Sequence, residues 1–388
     1  MYDVSAMING LVYLDNNATT ACYQAVVESM MPYWSQVFGN TESIHQAGRK
    51  ANGVVEQCRE DIAATVRTRP HQIFFTSGAT EGNNFIFSSY ARTPAVRKRV
   101  AVSAIEHKSV LKAAEALAPL GFDVVKLPVN TDGIVDVDKA RMLIDDSIGL
   151  VSVQLANNET GVLQPVRDLV ELAHEHGAYF HCDAVQALGK MTIDLQELGV
   201  DSASISAHKI HGPKGVGFIY IASGSMKFPF VFAYKGGGQE HGLRPGTVNV
   251  PGIVGMATAM RMLPSDAKIH EMSGLLRRFE LGLVASGLPC VFHGDRAERL
   301  PNTSNFALCG IPADMLIANL PTLCISTGSA CNSQEVAPSD VLKAMGVSDD
   351  EALSSIRVSL STQTTEEEID YAIMEISRAT SRLKELLS

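Results

Sequence analysis

Long apolar stretches are absent from this 388-residue chain: none reaches the ~18 residues that a membrane-spanning helix needs. Its seven cysteines form no C-x-x-C pair and are odd in number, which excludes a dense disulfide framework and the familiar zinc-knuckle spacings. There is no basic block. With 32 Lys+Arg against 42 Asp+Glu the formal charge is −10, which argues against a dedicated nucleic-acid binder. Neither G-x-x-x-x-G-K-[ST] nor G-x-G-x-x-G occurs, so nucleotide-binding loops are not supported. No internal repeat or low-complexity tract is visible. The first ten residues hold Asp3 and no Lys or Arg, unlike a signal or transit peptide, and the expected compartment is the cytoplasm.

What is present reads as a globular enzyme. Apolar residues make up 46% and charged residues 19%. A chain of this length buries about three quarters of its surface and allows two domains. Short β-rich runs at 72–75, 99–103, 122–127, 149–154, 178–182 and 202–206 alternate with helix-length segments such as 109–118 and 167–176. That alternation predicts a mostly parallel, doubly wound α/β sheet. Residues 215–221 read as one further strand, with an antiparallel direction left open. Beyond about residue 260 the pattern changes to a long helical stretch, 260–286, then short strands, then a closing helix. Thr365-Glu366-Glu367-Glu368 gives that last helix a capping-box start. The expected division is a large domain, 15–260, and a small domain formed by 1–14 and 261–388.

In open α/β sheets ligands sit at the carboxyl ends of strands, and four polar motifs fall there or in loops. Thr76-Ser77-Gly78-Ala79-Thr80-Glu81-Gly82-Asn83 follows a strand and opens a helix. It reads either as an ordinary helix cap or as a site for one phosphate, since the helix start offers unpaired N–H groups. In Phe180-His181-Cys182-Asp183-Ala184-Val185-Gln186 an apolar strand ends in a carboxylate, which needs a cationic partner such as a protonated pyridine nitrogen. His174, His176, His181 and Asp183 could instead suggest a metal, but strand alternation sends His181 and Cys182 to opposite faces. In Ser206-Ala207-His208-Lys209-Ile210-His211-Gly212-Pro213-Lys214 a strand runs into a lysine among cations, which favour the neutral amine that condenses with an aldehyde. Finally, Ser326-Thr327-Gly328-Ser329-Ala330-Cys331-Asn332-Ser333-Gln334 holds a cysteine in a small, polar run, where it reads as a reactive thiol or as an inert surface one. Most of the other cysteines are expected to be buried.

Taken together, the motifs resemble the cysteine desulfurases, enzymes of pyridoxal 5'-phosphate (PLP) in the class V aminotransferase group. The resemblance runs from Tyr13-Leu14-Asp15-Asn16-Asn17-Ala18-Thr19-Thr20 to Ser354-Ser355-Ile356-Arg357-Val358-Ser359. It also takes in Phe38-Gly39-Asn40, Glu106-His107-Lys108, Asn157-Asn158-Glu159-Thr160-Gly161, Arg244-Pro245-Gly246-Thr247 and the four motifs above. The implied fold is fold type I of PLP enzymes: a large domain with a mostly parallel seven-stranded sheet flanked by helices, plus a smaller C-terminal α+β domain. The implied assembly is a homodimer. Lys209 would hold PLP as a Schiff base, Asp183 would pair with the pyridinium nitrogen, His107 would stack on the ring and shuttle protons, and Gln186 would bond the phenolic oxygen. Ala79, Thr80, Ser206 and His208 would hold the phosphate, with Thr247 from the other subunit. Asn158 and Arg357 would hold the carboxylate of L-cysteine. Cys331, as thiolate, would take the substrate sulfur as a persulfide, release alanine, and pass the sulfur to an acceptor protein.

Within this group the rival readings are a selenocysteine lyase or an aminotransferase; outside it, a binding subunit that kept the fold without catalysis. The G-S-A-C run separates the first pair, and retention of Lys209, Asp183 and His107 argues against the last. Asn40-Thr41 stands where the family usually has Asn-Pro. The sequence stops at Ser388, where members serving an iron–sulfur scaffold often carry a docking extension. Iron–sulfur assembly, tRNA thiolation, nitrogenase-linked supply and DNA phosphorothioation stay open as destinations. No membrane and no direct nucleic-acid contact are expected, and no metal. Gly236-Gly237-Gly238-Gln239-Glu240-His241-Gly242, which leads to Thr247, reads as an arm too polar to be core.

Overall fold

The computed structural model describes residues 10–224, 235–327 and 337–387. Strand β1 (Val12–Tyr13) opens the described chain. The main sheet is built from β2 (Ile73–Thr76), β3 (Arg99–Ser103), β4 (Asp123–Leu127), β5 (Ile148–Ser152), β6 (Tyr179–Asp183), β7 (Ser202–Ser206) and β8 (Gly217–Ile221). Its order is β2-β8-β7-β6-β5-β3-β4. Only β8 runs against its neighbours, in antiparallel register with both β7 and β2. The remaining pairings are parallel, so the expected α/β architecture with a mostly parallel seven-stranded sheet is the one observed.

Strands β5 to β8 and β2 are buried along their whole length, as strands covered on both faces must be. Successive residues serve opposite cores. Ile73, Phe75 and Ala101 join one cluster with Val151, Phe180 and Met256, whereas Phe74, Val100 and Val102 join another with Phe85, Phe87 and Tyr90. The helix Ala79–Arg92 sits closely on the sheet because Gly82 has no side chain: a Cβ there would stand 2.6 Å from Ser204 Oγ.

The C-terminal part carries β9 (Cys290–Phe292), β10 (Thr303–Leu308), β11 (Leu323–Cys324), β12 (Ser326–Thr327) and β13 (Ser355–Ser359). An antiparallel sheet has the order β12-β13-β10-β9, and β11 pairs in parallel with β1. A third core joins Val12 and Leu14 to Phe279, Phe306, Ile356 and Ile369, so the N-terminal strand packs with the chain's last third. Val341, Leu342 and Met345 pack instead with the main sheet's core. We propose the two-domain division expected above on these separate cores.

Two expectations change. Residues 260–286 are not one helix: Val250–Arg261 and Asp266–Ala285 are separate, with Pro264, which lacks an amide donor, between them. The arm at 236–242 is not wholly outside the core. Glu240 is buried and forms a two-pronged ion pair with Arg59, both contacts at 2.8 Å. The closing helix Glu366–Leu387 does start with a capping box, Glu368 N–H donating to Thr365 Oγ1 and Thr365 N–H to Glu368 Oε2.

Candidate active site

The carboxyl ends of β2, β3, β6 and β7 open on one cavity of about 300 Å3. Its lining includes Ala79, Thr80, His107, Asn158, Asp183, Gln186, Ser206, His208, Lys209 and Arg357. Ten of the twelve expected site residues therefore share one space, although they come from positions 79 to 357. Thr247 does not join them and is exposed. Cys331 lies outside the described residues.

Each side chain is placed by its local backbone. Gly78 has φ of +146°, a conformation open to glycine, and turns β2 into the helix Ala79–Arg92; Ala79 N–H donates to Ser206 Oγ at 2.8 Å. That helix start and the Ser206 hydroxyl form an anion cradle. Asp183 ends β6, with Oδ2 accepting from Asn83 Nδ2 at 2.8 Å and Oδ1 from Val185 N–H at 3.1 Å. Lys209 ends the short 3-10 turn Ala207–Lys209 after β7, and its Nζ donates to the carbonyls of Asn17 and Ala18. His208 bonds Thr19 Oγ1 at 3.1 Å. Burial, with Lys209, Lys214 and Lys190 nearby, pushes His208 down to about 4, so its ring is neutral at pH 7.

On the cavity's other wall, Arg357 Nη2 pairs with Asp15 at 2.6 Å and Nη1 donates to the Asn158 carbonyl at 3.1 Å. Gln186 Nε2 donates to the Asn17 carbonyl at 3.0 Å. Three buried polar atoms on cavity-lining residues have no hydrogen-bond partner among the described residues: Gln186 Oε1, Asn158 Oδ1 and Arg357 Nε. Such orphans are costly unless a ligand satisfies them.

Sequence reasoning passed over several residues that build this site. Asn17 accepts from Lys209 and Gln186, Asp15 holds Arg357, and Asn83 holds Asp183. All three lie in motifs already singled out; that Asn17 lines the cavity and that Asp15 and Asn83 reach residues lining it depends on long-range packing. Lys190 had no local signal. It is buried with its Nζ 3.4 Å from the Lys209 carbonyl, and burial together with Lys209 pushes it down to about 7. The cysteines also differ from expectation. Among the described residues only Cys58 and Cys182 are buried, Cys22, Cys290 and Cys324 are half-buried, and Cys309 is exposed. Burial pushes the Cys58 thiol up to about 11, leaving it protonated and a poor nucleophile at neutral pH.

A PLP-type site on a mostly parallel sheet, with a strand-end aspartate, a lysine after the next strand and a helix-start anion cradle, defines the class. The family model for aminotransferase class-V matches residues 12–372, and the chain belongs to the class-V aminotransferase family. It is 40% identical to a cysteine desulfurase IscS of Anaeromyxobacter dehalogenans over 379 residues, covering 97% of this chain and 94% of that one. A probable mitochondrial cysteine desulfurase of Schizosaccharomyces pombe is 39% identical, with 98% and 77% covered. The solved structure of a NifS-like protein matches with a TM-score of 0.87 at 38% identity, over 96% of this chain and 99% of that one. Within its family the protein is a PLP-dependent cysteine desulfurase with fold type I architecture, and L-cysteine is its substrate. The residues present fit PLP: an anion cradle, a fixed carboxylate and an amine line one cavity, and three residues lining it carry buried polar atoms without a partner among the described residues.

Proposed function

We propose the following division of labour for the desulfurase reaction. Lys209 carries PLP, which when bound supplies a ring able to store the electron pair left as Cα loses its proton. Asp183 keeps the ring nitrogen protonated, and Gln186 bonds the phenolic oxygen. His107 covers the ring face. Ala79, Thr80, Ser206 and His208 hold the phosphate, joined by Thr247 from a second copy of the chain. Arg357 and Asn158 bind the carboxylate of L-cysteine and aim its α-hydrogen at Lys209 Nζ, which the substrate's own amine frees from the cofactor and which then takes that proton. Cys331, as thiolate, attacks the substrate sulfur; a S–S bond forms, the Cβ–S bond breaks, and the carbon skeleton takes up a proton and leaves as alanine.

The observation that carries this reading is the meeting of Lys209, Asp183 and Arg357 in one cavity. The test is Cys331→Ser. The variant should still bind PLP, while alanine release and the added sulfur mass on the 331 peptide collapse together. A Cys331→Ser enzyme releasing alanine at the wild-type rate would mean that the sulfur is expelled directly.

Homodimer formation belongs to the same proposal. Met31, Trp34, Phe38 and Ile44 are 60 to 89% exposed within fourteen residues, an apolar surface that a second copy would cover. Trp34→Glu with Phe38→Glu should yield monomers in sedimentation; an unaltered dimer would remove this patch from the interface. The persulfide passes to an acceptor protein, and relatives bearing the IscS name favour iron–sulfur assembly as its destination. A cytoplasmic setting is proposed from the bacterial relatives. No helix among the described residues is long and apolar enough to cross a membrane.

A further inference from the structure

We propose that Asn83 is a positioning residue that orients Asp183 and turns the Ser109 hydroxyl onto His107 Nδ1, where it joins the Ser109 amide in keeping the ring's proton on Nε2. The inference deepens the reading of His107 and Asp183 above and rests on it only for its kinetic consequence.

The argument follows the hydrogen bonds outward from Asp183. Asn83 Nδ2 lies 2.8 Å from Asp183 Oδ2 and 2.8 Å from Ser109 Oγ, while Asn83 Oδ1 lies 2.9 Å from His181 Nε2. A rotated amide would set its oxygen against the carboxylate, so the –NH2 faces Asp183 and Ser109, using both hydrogens. His181 Nε2 must then donate to Asn83 Oδ1. Its Nδ1, 2.8 Å from Ser202 Oγ, accepts from that hydroxyl. Burial pushes His181 down to about 3, in accord with a neutral ring carrying one proton.

The other branch reaches His107. Ser109 Oγ already accepts from Asn83, so its hydrogen points to His107 Nδ1, 2.7 Å away. Ser109 N–H also donates to that nitrogen at 3.1 Å, because His107 caps the helix Lys108–Glu115. Two donors occupy Nδ1. The ring's one proton therefore sits on Nε2. Asn83 is completely buried, and its place next to β7 depends on Gly82.

Neutron crystallography of the holoenzyme reads the protons directly. Deuterium is expected on Nε2 of both His107 and His181, with both Nδ1 atoms bare and both Asn83 amide deuteriums on Asp183 and Ser109. Deuterium on Nδ1 of either histidine, or a reversed Asn83 amide, overturns the proposal. In Asn83→Ala the Asp183 carboxylate and the Ser109 hydroxyl should reorient while Ser109 N–H still keeps His107 Nδ1 bare, and Ser109→Ala leaves that amide as the one donor of the pair; an unmoved Asp183 carboxylate and Ser109 hydroxyl deuterium in Asn83→Ala also overturn it. If Asn83→Ala does not fold, the wild-type map together with Ser109→Ala decides. For kinetics, Ser109→Ala should lower kcat about tenfold with KM within about twofold and should shift the pH profile, and Ser109→Thr should restore both. The proposed protons combined with unaltered Ser109→Ala kinetics would uphold the network and refute a proton-handling role for His107.

Discussion

Removing Glu240 tests whether a buried charge pair ties the glycine-rich arm to the main sheet. The pair is two-pronged, with Arg59 Nη1 and Nη2 each 2.8 Å from a carboxylate oxygen and both side chains 4% exposed. Glu240 Oε2 also accepts from Phe75 N–H at 2.8 Å. Arg59 donates further to the Ile73 carbonyl and lies 4.6 Å over the Phe75 ring. Glu240→Ala leaves a buried guanidinium without its main partner and orphans an amide in β2. Loss of one member of such a pair costs about 3–5 kcal/mol. Glu56, 3.2 Å from Arg59 and half exposed, offers partial compensation, so the lower end of about 3 kcal/mol is expected. Glu240→Gln keeps an acceptor for Phe75 N–H and should lose about 2 kcal/mol. Arg59→Met combined with Glu240→Leu removes both charges and should recover most of the loss. The assay is urea unfolding of the holoenzyme followed by circular dichroism at fixed protein concentration, with the midpoint shifting and the slope unchanged. A loss under about 1 kcal/mol in Glu240→Ala, or a double variant no more stable than the single one, would refute the reasoning.

Arg357→Lys should raise KM for L-cysteine about tenfold while kcat stays within a few-fold, because an ammonium cannot pair with Asp15 and a substrate carboxylate in the same planar geometry; initial rates of alanine release check this. Gly217→Ala should cost about 2–3 kcal/mol, since its Cβ would meet the Ile205 carbonyl oxygen at 2.3 Å and Gly78 Cα at 2.8 Å; a parallel loss of PLP affinity in absorbance titration is expected, because Gly78 shapes the anion cradle. Glu159 is pushed up to about 7 by burial, against the Ser339 hydroxyl, Arg357 and Lys108, which pull it down. The folded state thus holds this proton more tightly than the unfolded chain, and the stability it contributes is full below about pH 4.5 and lost as pH rises through about 7. Glu159→Gln should therefore gain on the wild type between pH 5.5 and pH 8.5 in urea midpoints, and a difference that stays constant across that range would contradict the assignment.

The strand runs 99–103 and 202–206 were legible to the residue, and the other main strands to within about two residues, because buried strands declare themselves through short apolar, β-branched runs bounded by turns. The Asp183 strand end, the Lys209 turn and the helix-opening loop were legible for a related reason: chemistry at the carboxyl edge of a parallel sheet interrupts an apolar pattern with polar residues. The break at Pro264 was available locally and was overrun by the helical periodicity on either side.

Tertiary packing decided the rest. Glu240 reads as a polar residue in a glycine arm, and only the arrival of Arg59 from 181 positions away makes its burial tolerable. Asn17 and Arg357 line one cavity, with Asp15 holding Arg357, because residues just after β1 pair with β13, a contact spanning more than three hundred residues. The His181–Asn83–Ser109–His107 chain joins the middle of β6 to the opening turns of two helices. Residue types and spacing along the chain name the groups that can hold a proton; which nitrogen holds it depends on donors and acceptors that only the fold brings within hydrogen-bond reach.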